Sequence, residues 1–268
     1  MKTEIFYFSG TGNSLLLARD IIRKTTGTLI PIKSTQQLQI VQSDAQMIGL
    51  VFPAYYMRIP RIVERFIDRL VFQESTYIFA VVTVAGIAGK VFDRLAAALQ
   101  HRGGTLASGF LVQMPPNYIH DADAFPPFMQ KRLFKKWERK LDAIYGEIMS
   151  EKHGKMETVN PIGTFLFSRY VEKQYQSGAL RPDIDQHFWV DENCSHCGIC
   201  QRICPVSNIR MDDGTPSWNG DCEKCLTCIQ WCPEQAIQFG KVTANRKRYH
   251  HPDIKLSDML NAKVERYA

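Results

Sequence analysis

The sequence predicts an α/β protein in which a doubly wound sheet of five parallel strands is followed by helices and then by a small α+β unit rich in cysteine. Three observations predict it. Short apolar runs alternate with helically spaced apolar residues from Met1 to about Val112. One run, Met47 to Phe52, is apolar throughout, as a strand covered on both faces must be. All eight cysteines fall between Cys194 and Cys232, with none in the first 193 residues. At 268 residues, 45% hydrophobic and 22% charged, the chain has material for one sheet domain and a smaller unit, and its composition excludes a disordered or fibrous protein.

The elements follow in order. Ile5 to Phe8 is a first strand ending in a Ser-Gly-Thr-Gly turn, and Leu15 to Ile22 has helical spacing with a cap at Asn13 or Ser14. Leu29 to Ile32 is a brief second strand. Met47 to Phe52 is the third, followed by a proline-containing turn and a helix over Ile62 to Leu70. Tyr77 to Val84 is the fourth, with a glycine-rich turn and a helix from Lys90 to Gln100, and Thr105 to Val112 is the fifth. Prolines then mark a change, after which Phe128, Met129, Leu133, Phe134, Trp137, Leu141, Ile144, Tyr145 and Ile148 recur every three or four residues and predict a long helix covering the sheet. The run Phe165 to Tyr175 is expected to pack on one or both units. These shifts divide the chain into a sheet domain over 1–152, a helical connector over 153–187, the cysteine unit over 188–240 and a basic tail over 241–268.

The longest apolar stretch, Tyr77 to Gly89, is well short of the roughly 18 residues a membrane-spanning helix needs, and the amino terminus lacks the apolar region and cleavage site of a secretory signal. A cytoplasmic protein with no membrane span is expected. The net charge of +6 is unevenly spread: residues 188–240 hold three basic and seven acidic side chains, and 241–268 seven basic and three acidic. The tail cations Lys241, Arg246, Lys247 and Arg248 raise the possibility of nucleic-acid binding, but four cations in nine residues read better as a solvated, folded-back end, and no nucleic-acid partner is expected.

The cysteines form an internal repeat. Cys194 to Ile209 reads CSHCGICQRICPVSNI and Cys222 to Ile237 reads CEKCLTCIQWCPEQAI, so four cysteines, the following proline and an isoleucine coincide at an offset of 28. Zinc sites normally join two Cys-x-x-Cys pairs a dozen or more residues apart, unlike three cysteines at successive x2 spacings followed by Cys-Pro, and disulfides have no reason to form in a reducing compartment. The x2, x2, x3 run ending in Cys-Pro resembles that of the bacterial two-cluster [4Fe–4S] ferredoxins, in which the fourth cysteine of each run serves the other cluster. That rule assigns Cys194, Cys197, Cys200 and Cys232 to one cluster and Cys222, Cys225, Cys228 and Cys204 to the other. His196 lies between ligands and is expected to face solvent. Backbone N–H groups and neighbours such as Gly198, Ile199, Ile203, Leu226 and Ile229 are expected to shape the shell around the sulfurs.

The whole chain resembles the flavodoxin-like and ferredoxin fusion proteins that transfer electrons in anaerobes. The ferredoxin resemblance covers roughly 186–240; that of the first domain is looser and rests on Ser9-Gly10-Thr11-Gly12-Asn13-Ser14, which is similar to the flavodoxin phosphate loop. Two glycines let this backbone curl inward while hydroxyls, an amide and the N–H groups of the next helix face a phosphate. In a flavodoxin-like sheet of order 2-1-3-4-5 this implies FMN at the switch point between the first and third strands. The resemblance also implies that Pro53, Ala54, Tyr55 and Tyr56 meet the isoalloxazine ring with aromatic faces, and that Thr83, Ala85, Gly86 and Gly89 approach it through backbone. Ordinary packing is the competing reading of the two tyrosines. No aromatic follows the fourth strand, so one face of the ring is expected to be open.

Clusters exchange single electrons and a flavin one or two, so the expected function is electron transfer between FMN and two [4Fe–4S] clusters, with protein redox partners meeting the acidic cysteine unit. The alternative is a flavin-dependent reductase of a small organic substrate or quinone fed by the clusters. No catalytic residues are expected, because His101, His120, His153 and His187 stand isolated in the sequence.

Overall fold

A computed structural model of the protein describes residues 2–158 and 185–268, with Arg169, Val171, Lys173, Gln174 and Gln176 between them. The strands, in chain order, are β1 (Thr3–Tyr7), β2 (Gly27–Pro31), β3 (Val41–Gln42), β4 (Met47–Pro53), β5 (Leu70–Val71), β6 (Tyr77–Val84), β7 (Leu106–Gln113), β8 (Lys155–Met156), β9 (Phe188–Val190), β10 (Ile209–Asp212), β11 (Thr215–Trp218), β12 (Ile237–Phe239) and β13 (Glu265–Tyr267). The helices are α1 (Asn13–Thr25), α2 (Arg61–Ile67), α3 (Val91–Gln100), α4 (Pro127–Met149), α5 (Ile199–Ile203), α6 (Thr227–Gln230) and α7 (Leu256–Leu260).

The main sheet has the order β13-β2-β1-β4-β6-β7-β8. Its five central members are the expected strands, all parallel and arranged 2-1-3-4-5. That order reverses direction between β1 and β4, which opens a crevice at their C-terminal ends. All eight residues of β6 are buried, and β4 is buried up to its final proline, because helices cover both faces. On one side α2 and α3 press Ile62, Val63, Phe66, Val91 and Leu95 against Phe6, Leu50 and Val82. On the other, α1 and α4 bring Leu15, Leu17, Ile21, Trp137, Ile144 and Ile148 against Ile5, Val51 and Phe79.

Three expectations are corrected. The sheet has seven strands rather than five, since β8 pairs with β7 and β13 adds antiparallel to β2. Two- and three-residue strands carry too little alternation to be seen in sequence. The tail is therefore built into the fold: Arg248 donates to the carbonyls of Thr243, Gln235 and Ile237, and Tyr249 is 2% exposed. The long helix does cover the sheet, but its first turn does not, and Phe128 is 72% exposed. The connector and the run Phe165 to Tyr175 lie mostly outside the described residues.

The cysteine unit keeps its repeat in three dimensions. β9 pairs with β12 and β10 with β11, so that Ile237 opposite Val190 repeats Ile209 opposite Trp218. Left-handed backbone recurs at the same offset of 28, at His196 and Lys224, at Gly198 and Leu226, and at Ser207 and Gln235.

Candidate functional site

A cavity of about 750 Å³ opens at the switch point of the sheet. Its wall is the loops following β1, β4, β6 and β7, where strand ends converge and leave space for a ligand. Ser9, Gly10, Thr11, Asn13, Ser14, Pro53, Ala54, Tyr55, Tyr56, Thr83, Ala85 and Gly86 all line it. Gly12 and Gly89 do not. Gly12 instead caps α1 with φ +91°, a conformation that favours glycine, and Ile254 occupies the place of any β-carbon it might carry.

The loop after β1 is held from several directions. Ser9 Oγ accepts from the Gly12 N–H at 3.1 Å, and the Ser14 and Thr83 hydroxyls are 3.1 Å apart. Asn13 is fully engaged, its amide donating to the Pro115 carbonyl (3.1 Å) and its oxygen accepting from Tyr249 (2.6 Å). The side chain is thus a brace for the loop, with one amide hydrogen committed to Pro115. Thr11, 5% exposed and with its N–H-rich helix start behind it, makes no side-chain hydrogen bond among the described residues. Its hydroxyl is thus open to a ligand in the cavity. The hydroxyl of the wall residue Tyr118, by contrast, is buried with no partner, which costs free energy unless a ligand satisfies it. These open donors and the glycine turn suit a phosphate-bearing planar ligand such as FMN.

The loop after β7 was not foreseen as part of the site. It contributes Met114, Pro115, Pro116, Asn117, Tyr118 and Asp121, and Met57, Val84, Ile87, Val171 and Gln174 complete the wall. The strand-end rule alone could have pointed to it, since a ligand at the switch point meets the end of each neighbouring strand.

Tyr55 and Tyr56 sit differently from the expected stacking platform. Tyr55, 7% exposed, meets Phe8 edge-on at 5.9 Å and Tyr118 at 5.5 Å. The Tyr56 ring stacks on Tyr118 at 4.8 Å, while the Lys224 ammonium lies over it at 4.9 Å. With its faces so occupied, Tyr56 meets the cavity through the parts of the ring left uncovered, and its hydroxyl lies against His120. It belongs to a two-residue turn closed by Tyr55 N–H to Arg58 O (3.1 Å) and Arg58 N–H to Tyr55 O (2.9 Å), with Tyr56 at φ +48° and Met57 at φ +60°. Asn-Gly is the usual occupant of such a turn, and bulky residues there cost about 1–2 kcal/mol each. Backbone strain of this kind concentrates at functional sites.

Behind Tyr56 lies His120, with Nε2 3.0 Å from Tyr56 Oη and 3.3 Å from Asp121 Oδ1. The histidine, isolated in sequence, is therefore joined to the cavity. Burial lowers its pKa to about 4, with Asp121 opposing and the Lys224 cation assisting that shift. Burial likewise holds the Tyr56 phenol well above its ordinary value, so both are neutral near pH 7.

The eight cysteines fall into two groups. Cys194, Cys197, Cys200 and Cys232 wall one recess of the small unit. Cys204, Cys222, Cys225 and Cys228 lie close enough for Cys204 to act electrostatically on the other three. Cys232 thus joins three cysteines of the first half around one recess, and Cys204 lies near the three of the second half, where Cys200 also acts on Cys228. Burial raises the thiol of Cys225 to about 12 and that of Cys200 to about 11, so these sulfurs need a cationic partner to exist as thiolates. Hydrogen-bond donors already face them: Asn208 N–H to Cys204 Sγ (3.3 Å), Lys224 N–H to Cys222 Sγ (3.2 Å) and Thr227 O–H to Cys225 Sγ (3.1 Å). Among the described residues no three His, Cys, Asp or Glu side chains converge to hold a single metal ion. A cubane would spread four ligands over four irons; of the two groups, Cys194, Cys197, Cys200 and Cys232 are arranged around a recess. His196 is exposed, with Nδ1 2.8 Å from the Gly214 carbonyl.

The two sites share a wall. Trp231 Nε1 donates to the Gly10 carbonyl (3.0 Å), Asn117 to the Cys225 carbonyl (2.9 Å) and Arg61 to the Cys222 carbonyl (2.9 Å). A β-carbon at Gly10 would stand 2.8 Å from Tyr55 Oη and 3.1 Å from Cys225 O, so the loop can only approach the cysteines this closely as glycine. Arg65 grips Asp221 with two bonds of 2.8 and 2.9 Å, and the His251 N–H donates to Thr11 O at 2.8 Å. Part of the acidic character of the cysteine unit is thus spent within the molecule.

No protein-family model matches this chain, and no curated protein does. Solved structures similar to part of it include a protein described as a flavoprotein from Bacteroides uniformis, 16% identical over 42% of this chain and 90% of its own, with a TM-score of 0.35. The Trp repressor binding protein of Bacillus subtilis is 14% identical over 55% of this chain and 97% of its own, with a TM-score of 0.34. The rubredoxin oxygen:oxidoreductase of Desulfovibrio gigas is 15% identical over 56% of this chain and 36% of its own, at 0.30. Scores this low carry no conclusion about function. The mixed α/β class and mostly parallel sheet stand on the strand pairing itself. Among the described residues no helix is long and apolar enough to cross a membrane.

Proposed function

We propose that the protein transfers electrons between FMN, held in the switch-point cavity, and two [4Fe–4S] clusters, held by Cys194, Cys197, Cys200 and Cys232 and by Cys204, Cys222, Cys225 and Cys228. The observation that carries the reading is the shared wall: Trp231, next to Cys232, donates to the Gly10 carbonyl, and Asn117 of the cavity wall donates to the Cys225 carbonyl. Bound flavin supplies one- and two-electron chemistry and the clusters one-electron chemistry, so such a chain couples carriers of different electron count. The residues divide the work. Ser9 to Ser14 and the start of α1 bind the phosphate, Thr83 to Gly86 and Asn117 to Tyr118 border the ring, and Trp231 and Asn117 fix the distance between the two sites. Low-lying N–H and O–H donors at Cys204, Cys222 and Cys225 stabilise negative charge on sulfur and so raise the potential of that group.

Anaerobic purification tests it. Iron and sulfide in near-equal amounts, bound FMN and visible absorbance bleached by dithionite are expected; a colourless protein containing zinc overturns the reading. A second reading, a flavin-dependent reductase of a small organic acceptor, is favoured by one observation, the contact between Tyr56 and His120 at the cavity wall.

A further inference from the structure

Electron transfer between flavin and clusters needs no proton donor, yet the cavity wall contains one built at some cost. Tyr56 is fixed in a left-handed turn, stacked on Tyr118, and touches His120, whose side chain is 8% exposed. Asp121, 60% exposed and also part of the wall, connects the histidine to solvent. His120 Nδ1 is buried without a partner. With the ring proton on Nε2, the imidazole donates toward Tyr56 Oη and Asp121, Nδ1 keeps only a lone pair, and the tyrosine's own hydrogen is free for a ligand. Of the charged groups around His120, Asp121 favours its protonation and Lys224 opposes it; the remaining neighbours, Tyr118 and Phe239, are aromatic.

We propose that Tyr56 is the proton donor for reduction of a planar quinone in this cavity, with His120 as its positioning residue. The proposal rests on the flavin reading above. Quinone reduction takes two electrons and two protons. Reduced flavin, the reductant, provides both electrons and one proton; Tyr56 breaks its O–H bond as the second quinone oxygen gains a proton. The resulting phenolate, held meanwhile by the His120 Nε2–H hydrogen bond, regains its proton from solvent water reaching it beside the exposed Asp121. Flavin and quinone would share the cavity of about 750 Å³, in the upper part of the roughly 300–1,000 Å³ range of ligand cavities, where Met57, Ile87 and Met114 give apolar surface for an aromatic ring.

The test uses the flavin-loaded protein and 1,4-naphthoquinone. Quenching of tryptophan fluorescence is expected to show affinity about 3- to 10-fold weaker in Tyr56→Phe, the worth of one hydrogen bond, with naphthalene binding unchanged. Reduction of saturating naphthoquinone, per bound flavin, should fall about 100-fold or more, and at least tenfold further than reduction of ferricyanide, which takes an electron and no proton. His120→Gln, which retains an N–H donor, should preserve most of the naphthoquinone affinity that His120→Leu loses. Equal naphthoquinone affinity and rate in Tyr56→Phe and the parent overturn the proposal, as do His120→Gln and His120→Leu behaving alike. Absence of flavin, or of ferricyanide reduction by the parent protein, overturns the flavin reading instead.

Discussion

Acid should loosen the strap that holds the loop after β1, and His251 sets the pH at which it does so. It is fully buried, packs on Phe134 at 4.3 Å, and accepts the Asp253 N–H on Nδ1, while Nε2 is buried without a partner. Burial lowers its pKa from 6.5 to about 4, with Asp253 opposing and His250 adding to the shift. Because the folded value is depressed, stability from keeping the ring neutral is present above pH 6.5 and is lost as pH falls from there toward 4. The limiting slope is about 1.4 kcal/mol per pH unit, so between pH 7 and pH 5 this residue alone should remove about 2 kcal/mol. In a chain of this size that corresponds to a Tm lower by about 4–8 °C. His251→Asn keeps an acceptor for the Asp253 N–H without a titrating ring. Melting followed by circular dichroism under anaerobic conditions at pH 7, 6 and 5 should show the parent falling more steeply than this variant by that margin. Parallel curves for the two proteins would refute the argument.

Other changes probe the rest of the site. Gly10→Ala forces a methyl between the phosphate loop and the Cys225 backbone, and overpacking of this kind should cost about 1–3 kcal/mol in urea unfolding and lower flavin occupancy. Asn13→Ala breaks the bonds to Pro115 and Tyr249 together and leaves buried groups unsatisfied; a loss of about 2 kcal/mol and faster amide exchange in 249–254 are expected. Cys204→Ala should remove roughly half the iron, and electron paramagnetic resonance of the reduced protein should retain one cluster signal, that of the group containing Cys194. Arg65→Ala, by contrast, removes a largely exposed ion pair and should change the Tm little, since such pairs contribute about 1 kcal/mol or less.

Local rules explain why so much of the architecture was legible. A strand such as Tyr77 to Val84 declares itself through eight successive apolar or β-branched side chains, and a helix such as Val91–Gln100 through the spacing of Val91, Leu95 and Leu99. Cysteine spacing and the offset of 28 likewise announce two equivalent halves, because the same backbone turn must be made twice.

What could not be read were partnerships set by where the topology brings chain ends together. Tyr56 and His120 are 64 residues apart, Trp231 and Gly10 are 221, and Tyr249 and Asn13 are 236. Periodicity and propensity act over a few residues, so they fix which segments become strands and turns but say nothing of which loops share a wall. Strand order decides that, by placing the ends of β1, β4, β6 and β7 around one crevice and leaving the cysteine unit to close against it.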